Sequence, residues 1–220
     1  MPRIKNLQLT QSNQSPQLTA STATTYPIVE TFHSIQGEGA WFGSSAYFIR
    51  LGGCDVKCWF CDTKESWDAS SHPRQTVTDL VRQVEKAKPA IVVITGGEPL
   101  MHDLRPITKA LQKLDVRVHL ETSGAHPLSG EFDWITLSPK TFKPPVANIY
   151  IHIHELKVVV AKQQDLGWAE RQADLVPTTA IKYLQPEWNS VNANKLIFDY
   201  VRQNSQWRMS LQTHKLLGVR

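Results

Sequence analysis

Cys54, Cys58 and Cys61 are the only cysteines in 220 residues, and they fall within eight positions in the pattern C-x3-C-x2-C. Three thiolates on one short loop can grip three corners of a cubane iron-sulfur cluster. A 4Fe-4S cluster is commonly held by four cysteines, so three leave one iron open to another ligand. Lys57, inside the loop, favours thiolate over thiol. Zinc of the Cys3His type competes for the same residues, with His33 or His72 as fourth ligand, although its usual cysteine pairs are separated by a longer linker. A disulfide with one thiol left over ranks lowest, because the N-terminus lacks the apolar run and cleavage site of a secretory signal. A reducing, cytoplasmic setting is therefore expected.

Such a loop needs strands that fix its ends. A first clear strand spans 46–51 and runs through Gly52 and Gly53 into the cysteines. Thr76 can cap a helix in which Val77, Leu80, Val81 and Val84 share a face, with Asp79 three residues past the cap and a stop near Pro89. The apolar run 90–94 reads as a strand buried on both faces and ends in Thr95-Gly96-Gly97-Glu98-Pro99. Asp103 can cap the next helix, with Leu104, Ile107, Leu111 and Leu114 inward and Pro106 tolerated in its first turn. Further strands are expected at 116–120, at 134–137 before Ser138-Pro139-Lys140, at 156–160, and at 181–184 before Gln185-Pro186. Alternating strands and crossovers predict an α/β fold with a parallel sheet, and polar and glycine-rich residues gather just after the strands, where such folds bind ligands. The segment 141–153 is too short and Pro-rich for a full helix, which points to a reduced, incomplete barrel.

Length and a hydrophobic content of 41% suit one sizeable core. One domain is expected over 26–220, after a disordered polar tail over 1–25 that is rich in Ser, Thr and Gln. No stretch approaches the roughly 18 apolar residues of a membrane span. The net charge of +4 is spread without basic blocks or interleaved aromatics, so neither a membrane nor a nucleic acid is an expected partner.

The cysteine pattern after a strand, with Trp59 and Phe60 before the last cysteine, resembles the signature of the S-adenosylmethionine radical superfamily. Gly96-Gly97-Glu98 resembles its glycine-rich segment. Within that superfamily, Ser34-Ile35-Gln36-Gly37-Glu38-Gly39, Arg50, Cys61-Asp62-Thr63, Glu155-Leu156-Lys157 and Gln212-Thr213-His214-Lys215 look similar to the 7-carboxy-7-deazaguanine synthase family, over residues 28–220. The resemblance implies a (β/α)6 TIM-like barrel of the radical type, incomplete in its helices. It implies a lyase that converts 6-carboxy-5,6,7,8-tetrahydropterin to 7-carboxy-7-deazaguanine and ammonia by radical ring contraction, on the way to deazapurines such as queuosine. An electron from the cluster would cleave S-adenosylmethionine to methionine and a 5′-deoxyadenosyl radical, which takes hydrogen from the pterin. No catalytic side chain is implied beyond the cluster and that radical.

The resemblance also carries residue roles. S-adenosylmethionine would meet Phe60, Cys61 and Asp62, then Gly97 and Glu98, then Ser138, Pro139 and Lys140, and near its adenine Gln185, Pro186, Glu187 and Trp188. The carboxypterin would meet Ile35, Gln36, Gly37, Glu38, Arg50, Thr95, Glu121 and His214, with the carboxylate of Arg220 folded back towards it. Thr63 would ligate Mg2+. An electron donor such as a flavodoxin or ferredoxin and a homodimer follow from the same resemblance. Simpler readings stay open for several of these residues: an ion pair for Arg50, a turn for Gln36 and Glu38, a helix cap for Thr63, a rim aromatic for Trp188. Two other functions also stay open, a different radical enzyme such as a glycyl-radical activase and a zinc-stabilised nucleic-acid module.

Overall fold

The computed structural model describes residues 23–220, so most of the expected polar tail lies outside the described residues. Thr25, placed in that tail by composition, is instead the first residue of strand β1 (Thr25–Ile35) and pairs with Thr76. Strands β2 (Ser45–Leu51), β3 (Arg74–Thr76), β4 (Ile91–Gly96), β5 (Arg117–Thr122), β6 (Trp134–Leu137), β7 (Glu155–Val160), β8 (Ile181–Pro186) and β9 (Trp207–Met209) follow. They form one sheet in the order β3-β1-β2-β4-β5-β6-β7-β8-β9. From β2 through β9 every neighbouring pair is parallel, whereas β1 is antiparallel to both β2 and β3. β3 and β9 do not pair with each other, so the barrel stays open.

Helices α1 (Val77–Ala87), α2 (Arg105–Leu111), α3 (Gln163–Ala173) and α4 (Ala193–Gln203) cover the outside of the sheet, and a short α5 (Thr213–Leu217) follows β9. The β6–β7 crossover holds only a 3-10 segment, Ala147–His152, as its length and prolines predict. The β5–β6 crossover also lacks an α-helix, which the sequence pattern did not single out. A parallel connection needs about a dozen residues but not necessarily a helix, and residues 123–133 supply eleven.

The expected cap at Thr76 is present: its Oγ1 accepts from the Asp79 amide at 3.1 Å, and Leu80 and Val84 are buried. The helix stops at Lys88, which takes a left-handed conformation (φ 50°) before Pro89. Asp103 is a correction. The cap position of α2 falls on Leu104, whose side chain cannot accept, while Asp103 sits one residue earlier and takes the Arg105 amide at 3.1 Å.

Successive side chains of a strand face opposite ways, and this period divides the sheet chemically. Leu51, Ile94, Leu120, Leu137, Leu156, Val158 and Leu184 point outward into one apolar core with Leu80, Ile107, Leu111, Leu166 and Ile197 from the helices. Phe48, Arg50, Thr95, Glu121, Thr136, Lys157 and Gln185 alternate with them and point inward, lining a cavity. A small apolar cluster of Ala46, Ile91 and Val93, packed against Trp41 and Phe48, lies apart from the main core on that inner side.

Thr76→Ala removes the acceptor for Asp79 and is expected to destabilise the fold by about 1 kcal/mol. Urea denaturation checks this, and a midpoint equal to the unaltered chain would count against the cap.

Candidate active site

The cysteine loop leaves β2 through Gly52 and Gly53 and is tied down by backbone bonds: the Gly53 amide donates to the Ser66 carbonyl at 2.7 Å and the Cys54 amide to the Trp67 carbonyl at 3.1 Å. On the other side it rests on the end of β4, where the Gly97 amide donates to the Leu51 carbonyl at 3.0 Å and the Glu98 amide to the Gly53 carbonyl at 2.9 Å. A side chain on Gly97 would place its first carbon 2.8 Å from Cys54 Cβ. The glycine is therefore demanded by the cysteine loop itself, and not only by an approaching ligand.

Glu98 is buried with all its acceptor sites engaged inside the chain. Its Oε1 accepts from the Leu100 amide at 3.0 Å and from Thr122 Oγ1, and its Oε2 from the Ser123 amide at 2.8 Å and from Ser123 Oγ. This carboxylate clamps the ends of β4 and β5 together. What the segment turns to the cavity is backbone.

The three thiols line a cavity of about 740 Å³ at the C-terminal ends of the parallel strands. Burial pushes the Cys58 thiol up, the buried Lys140 ammonium opposes this, and the neighbouring Cys61 and Cys54 add to it. The free Cys58 thiol is thus disfavoured as a thiolate here, and a cationic metal centre is the kind of group that reverses the balance. The donor set, three sulfurs on one rigid loop facing an open cavity, fits a 4Fe-4S cluster with one iron left for a further ligand. Neither histidine considered for the zinc alternative is placed to complete it: His33 bonds Ser45 Oγ and His72 bonds the Glu65 carbonyl, and neither lines the cavity. No three His, Cys, Asp or Glu side chains among the described residues group to hold a metal ion by themselves.

Of the other residues expected at the site, only Pro139 does not line this cavity; it stiffens the turn from Ser138 to Lys140. Lys140 Nζ bonds the Ser138 carbonyl and, at 2.7 Å, Ser138 Oγ, and lies 5.9 Å from the Phe60 ring centre. Gln185 Oε1 accepts from Ser210 Oγ at 3.1 Å, and the Glu187 carboxylate accepts from Asn189. Trp188 is half exposed, with the Lys215 ammonium 5.1 Å from its ring centre. Thr63 Oγ1 donates to Asp62 at 3.2 Å and makes no cap for the 3-10 turn that follows it. Asp62 also accepts from Lys215 at 2.7 Å and from Gln212 at 3.3 Å; burial would raise its carboxyl, but these donors hold it below the usual range.

Gln36, Gly37 and Glu38 do not come from a parallel strand end. They follow antiparallel β1, and the turn folds across the open side of the sheet into its interior. Gln36 Oε1 accepts from the Glu38 amide at 3.1 Å and its Nε2 donates to Glu121 Oε1 at 3.0 Å, so both ends of the amide are fixed. Glu38 forms an ion pair with Lys157. Gly39 takes a positive φ of 64°, and a side chain there would come within 2.8 Å of the Glu155 carboxyl carbon. His214 packs beside Gly37, and the Thr213 amide donates to the Gly37 carbonyl at 3.1 Å, which sets the C-terminal segment over the cavity.

Arg50 donates through Nε to Glu30 Oε1 at 2.8 Å, leaving the fork of its two Nη groups to the cavity. Arg220 reaches the other oxygen of Glu30 at 3.0 Å, and its carbonyl accepts from Ser34. Beside them Phe32 stacks on Phe48 with ring centres 4.8 Å apart, giving the cavity a flat apolar wall. Glu30, Phe32, Phe48 and Lys157 were missing from the sequence-based site. Lys157 carried a signal: it is the single charge within the apolar run 156–160.

Comparison with known proteins agrees with this geometry. The profile of the Radical SAM superfamily matches residues 48–161. The chain is 60% identical to the 7-carboxy-7-deazaguanine synthase of Synechocystis, over 89% of this chain and 94% of that one. It is 48% identical to that of Flavobacterium psychrophilum, over 88% and 92%. The crystal structure of QueE from Escherichia coli superposes with a TM-score of 0.76 at 31% identity, covering 85% of this chain and 93% of that one. An open parallel barrel, a three-cysteine loop at its rim and relatives matched over nearly their whole length place the chain in the 7-carboxy-7-deazaguanine synthase family of radical S-adenosylmethionine enzymes.

Proposed function

We propose that the chain converts 6-carboxy-5,6,7,8-tetrahydropterin to 7-carboxy-7-deazaguanine with loss of ammonia, as a lyase of deazapurine (queuosine) biosynthesis. The observation that carries this reading is that one cavity is lined both by three thiols and by Gln36, Glu38, Arg50 and Glu121. Cys54, Cys58 and Cys61 would hold the 4Fe-4S cluster, which when bound and reduced supplies the electron for cleavage of S-adenosylmethionine. The backbone of Gly97 and Glu98, Phe60 with Asp62, Ser138 with Lys140, and the run from Gln185 to Trp188 would seat that cosubstrate.

The substrate is a flat ring with N–H donors along one edge and an anionic carboxylate. Arg50 presents two parallel donors to the carboxylate. Glu38 and Glu121 accept from ring N–H groups, with Thr95, Ile35 and Gly37 around them and Phe32 along the ring face. His214 and Arg220 close the site, and α5 keeps water from the reacting centre. Thr63 would bind Mg2+ through its hydroxyl. Asp62 beside it is already neutralised by Lys215, so the ion would rest on that hydroxyl, on water and on substrate oxygens, as magnesium commonly does.

The finer points rest on the family resemblance and on placement. A flavodoxin- or ferredoxin-type donor would approach the cysteine loop, where Trp59 is exposed. A homodimer in the cytoplasm is the family expectation. No helix among the described residues is long and apolar enough to cross a membrane.

Anaerobically reconstituted protein is expected to be brown and, with reductant, S-adenosylmethionine and carboxytetrahydropterin, to give the deazapurine by mass spectrometry. Cys58→Ala should lose both cluster and product, and a colourless protein carrying stoichiometric zinc would end the proposal. Removing Mg2+ with a chelator should slow turnover in the unaltered enzyme. Thr63→Ala should be slow with or without the metal, and a Thr63→Ala enzyme still stimulated by Mg2+ would move the ion elsewhere. Glu98→Gln turns an amide N–H towards the Ser123 amide and is expected to cost about 1–3 kcal/mol in denaturant unfolding. Unchanged stability would show that the clamp between β4 and β5 is not needed.

A further inference from the structure

Three carboxylates and one ammonium meet inside the barrel, where Glu38, Glu121 and Lys157 line the cavity and Glu155 lies beside them. Glu38 comes from the turn after β1, Glu121 from β5, and Glu155 with Lys157 from β7. Lys157 is 5% exposed. Its Nζ pairs with Glu38 Oε2 and lies 3.8 Å from Glu121 Oε2, while Glu155 Oε2 accepts from the Ala40 amide at 3.0 Å. His214 of α5 also faces Glu38, and Lys140 after β6 faces Lys157 from the cluster side.

Stability does not account for this arrangement. A buried ion pair adds little over apolar residues of the same volume, because desolvation cancels most of the attraction. β7 could have carried an aliphatic residue here, as it does at Val159. Removing the cation alone would leave carboxylates facing one another, and neighbouring carboxylates in low dielectric raise each other's pKa until one keeps its proton. A protonated Glu38 or Glu121 is a donor where a ring N–H needs an acceptor.

We infer that Lys157 is a positioning residue for the carboxypterin: paired with Glu38 and 3.8 Å from Glu121, it holds the two carboxylates in place so that both can accept from the ring edge. This rests on the carboxypterin reading above. The same electrostatics are visible in the groups themselves. Burial would lower the Lys157 ammonium, but Glu121 and Glu38 hold it well above the ordinary lysine range. Burial would raise Glu38, and Lys157 overrides it, keeping that carboxyl below the usual range. Glu155, which Lys157 does not pair with directly, is pushed up to about 6, mainly by burial.

The test compares Lys157→Met and Lys157→Arg in reconstituted full-length enzyme, with cluster absorbance and S-adenosylmethionine binding measured as controls. Lys157→Met is expected to keep both, yet to raise KM for carboxytetrahydropterin by about 100-fold, the scale of a broken buried charge pair. The acid limb of its kcat/KM–pH profile should move to higher pH by about one unit or more, because a carboxyl left without the cation keeps its proton longer. Lys157→Arg, which keeps the charge, should restore the wild-type limb. A Lys157→Met enzyme with cluster, wild-type KM and an unmoved limb would overturn the inference. So would an arginine variant no better than the methionine one. If Lys157→Met does not accumulate with its cluster, Lys157→Gln carries the same comparison. A wild-type enzyme that fails to turn over the carboxypterin while cleaving S-adenosylmethionine would instead overturn the proposed function.

Discussion

Charge that has been taken out of water must be balanced where it lies, and in this chain the balance falls on Lys157. Its side chain points inward because residues alternate along β7, and Leu156 and Val158 on either side are taken by the apolar core. The ammonium then draws the turn after β1 into the barrel through Glu38, and that turn carries Gln36, whose amide orients Glu121. Gly39 accepts the close approach of Glu155, which allows the turn to lie against β7 at all. The interior wall of the cavity is therefore one connected polar unit, in which no member can rotate without leaving another unsatisfied.

The opposite wall is built on different physics. The cysteine loop is held by backbone bonds to the ends of β2 and β4 and by the 3-10 turn that follows it, with ion pairs from Asp55 to Lys143 and from Asp62 to Lys215 added on its outside. Glu98 supplies its one carboxylate as a structural clamp for β4 and β5, and Gly97 supplies the missing side chain that lets two loops touch. Radical chemistry needs the cluster and the substrate held in a fixed relation. A backbone-built wall and an interlocked side-chain wall facing each other across one cavity meet that need.

How legible this was in sequence depended on which physical signal each part leaves. The cysteine loop, Gly96-Gly97-Glu98 and the strands at 90–94 and 134–137 were legible because glycine turns and continuous apolar runs are local patterns. β1 was not, since Thr25–Ile35 mixes polar and apolar residues, contains Pro27 and is only partly buried along most of its length. Its role is set by its partners on β2 and β3. Lys157 stood out as the single charge in an apolar run, but its role stayed hidden because its counter-charges lie 119 and 36 residues away in sequence. Asp103 illustrates a finer limit, because the acceptor type was right and its register was off by one residue. The residues that the family resemblance singled out line one cavity apart from Pro139, yet Glu30, which pairs with Arg50, lay outside its motifs, and Lys157, though inside the Glu155-Leu156-Lys157 segment, carried no role there.

The open barrel raises a last question, which is how its two edges are joined without a strand ladder. The segments that follow β9 and β1 are bridged by scattered polar contacts: the Gly39 amide donates to Ser210 Oγ at 3.1 Å, Ser210 in turn donates to Gln185, and the Thr213 amide donates to the Gly37 carbonyl. Lys215 reaches across to Asp62 on the cysteine loop, and Ser34 on β1 bonds the Arg220 carbonyl. Each such bond is worth about 1 kcal/mol net. They run directly beside the residues proposed to hold the substrate, with α5 following β9. The side of the cavity that no strand ladder closes is thus closed by the same turn after β1 that carries Gln36 and Glu38.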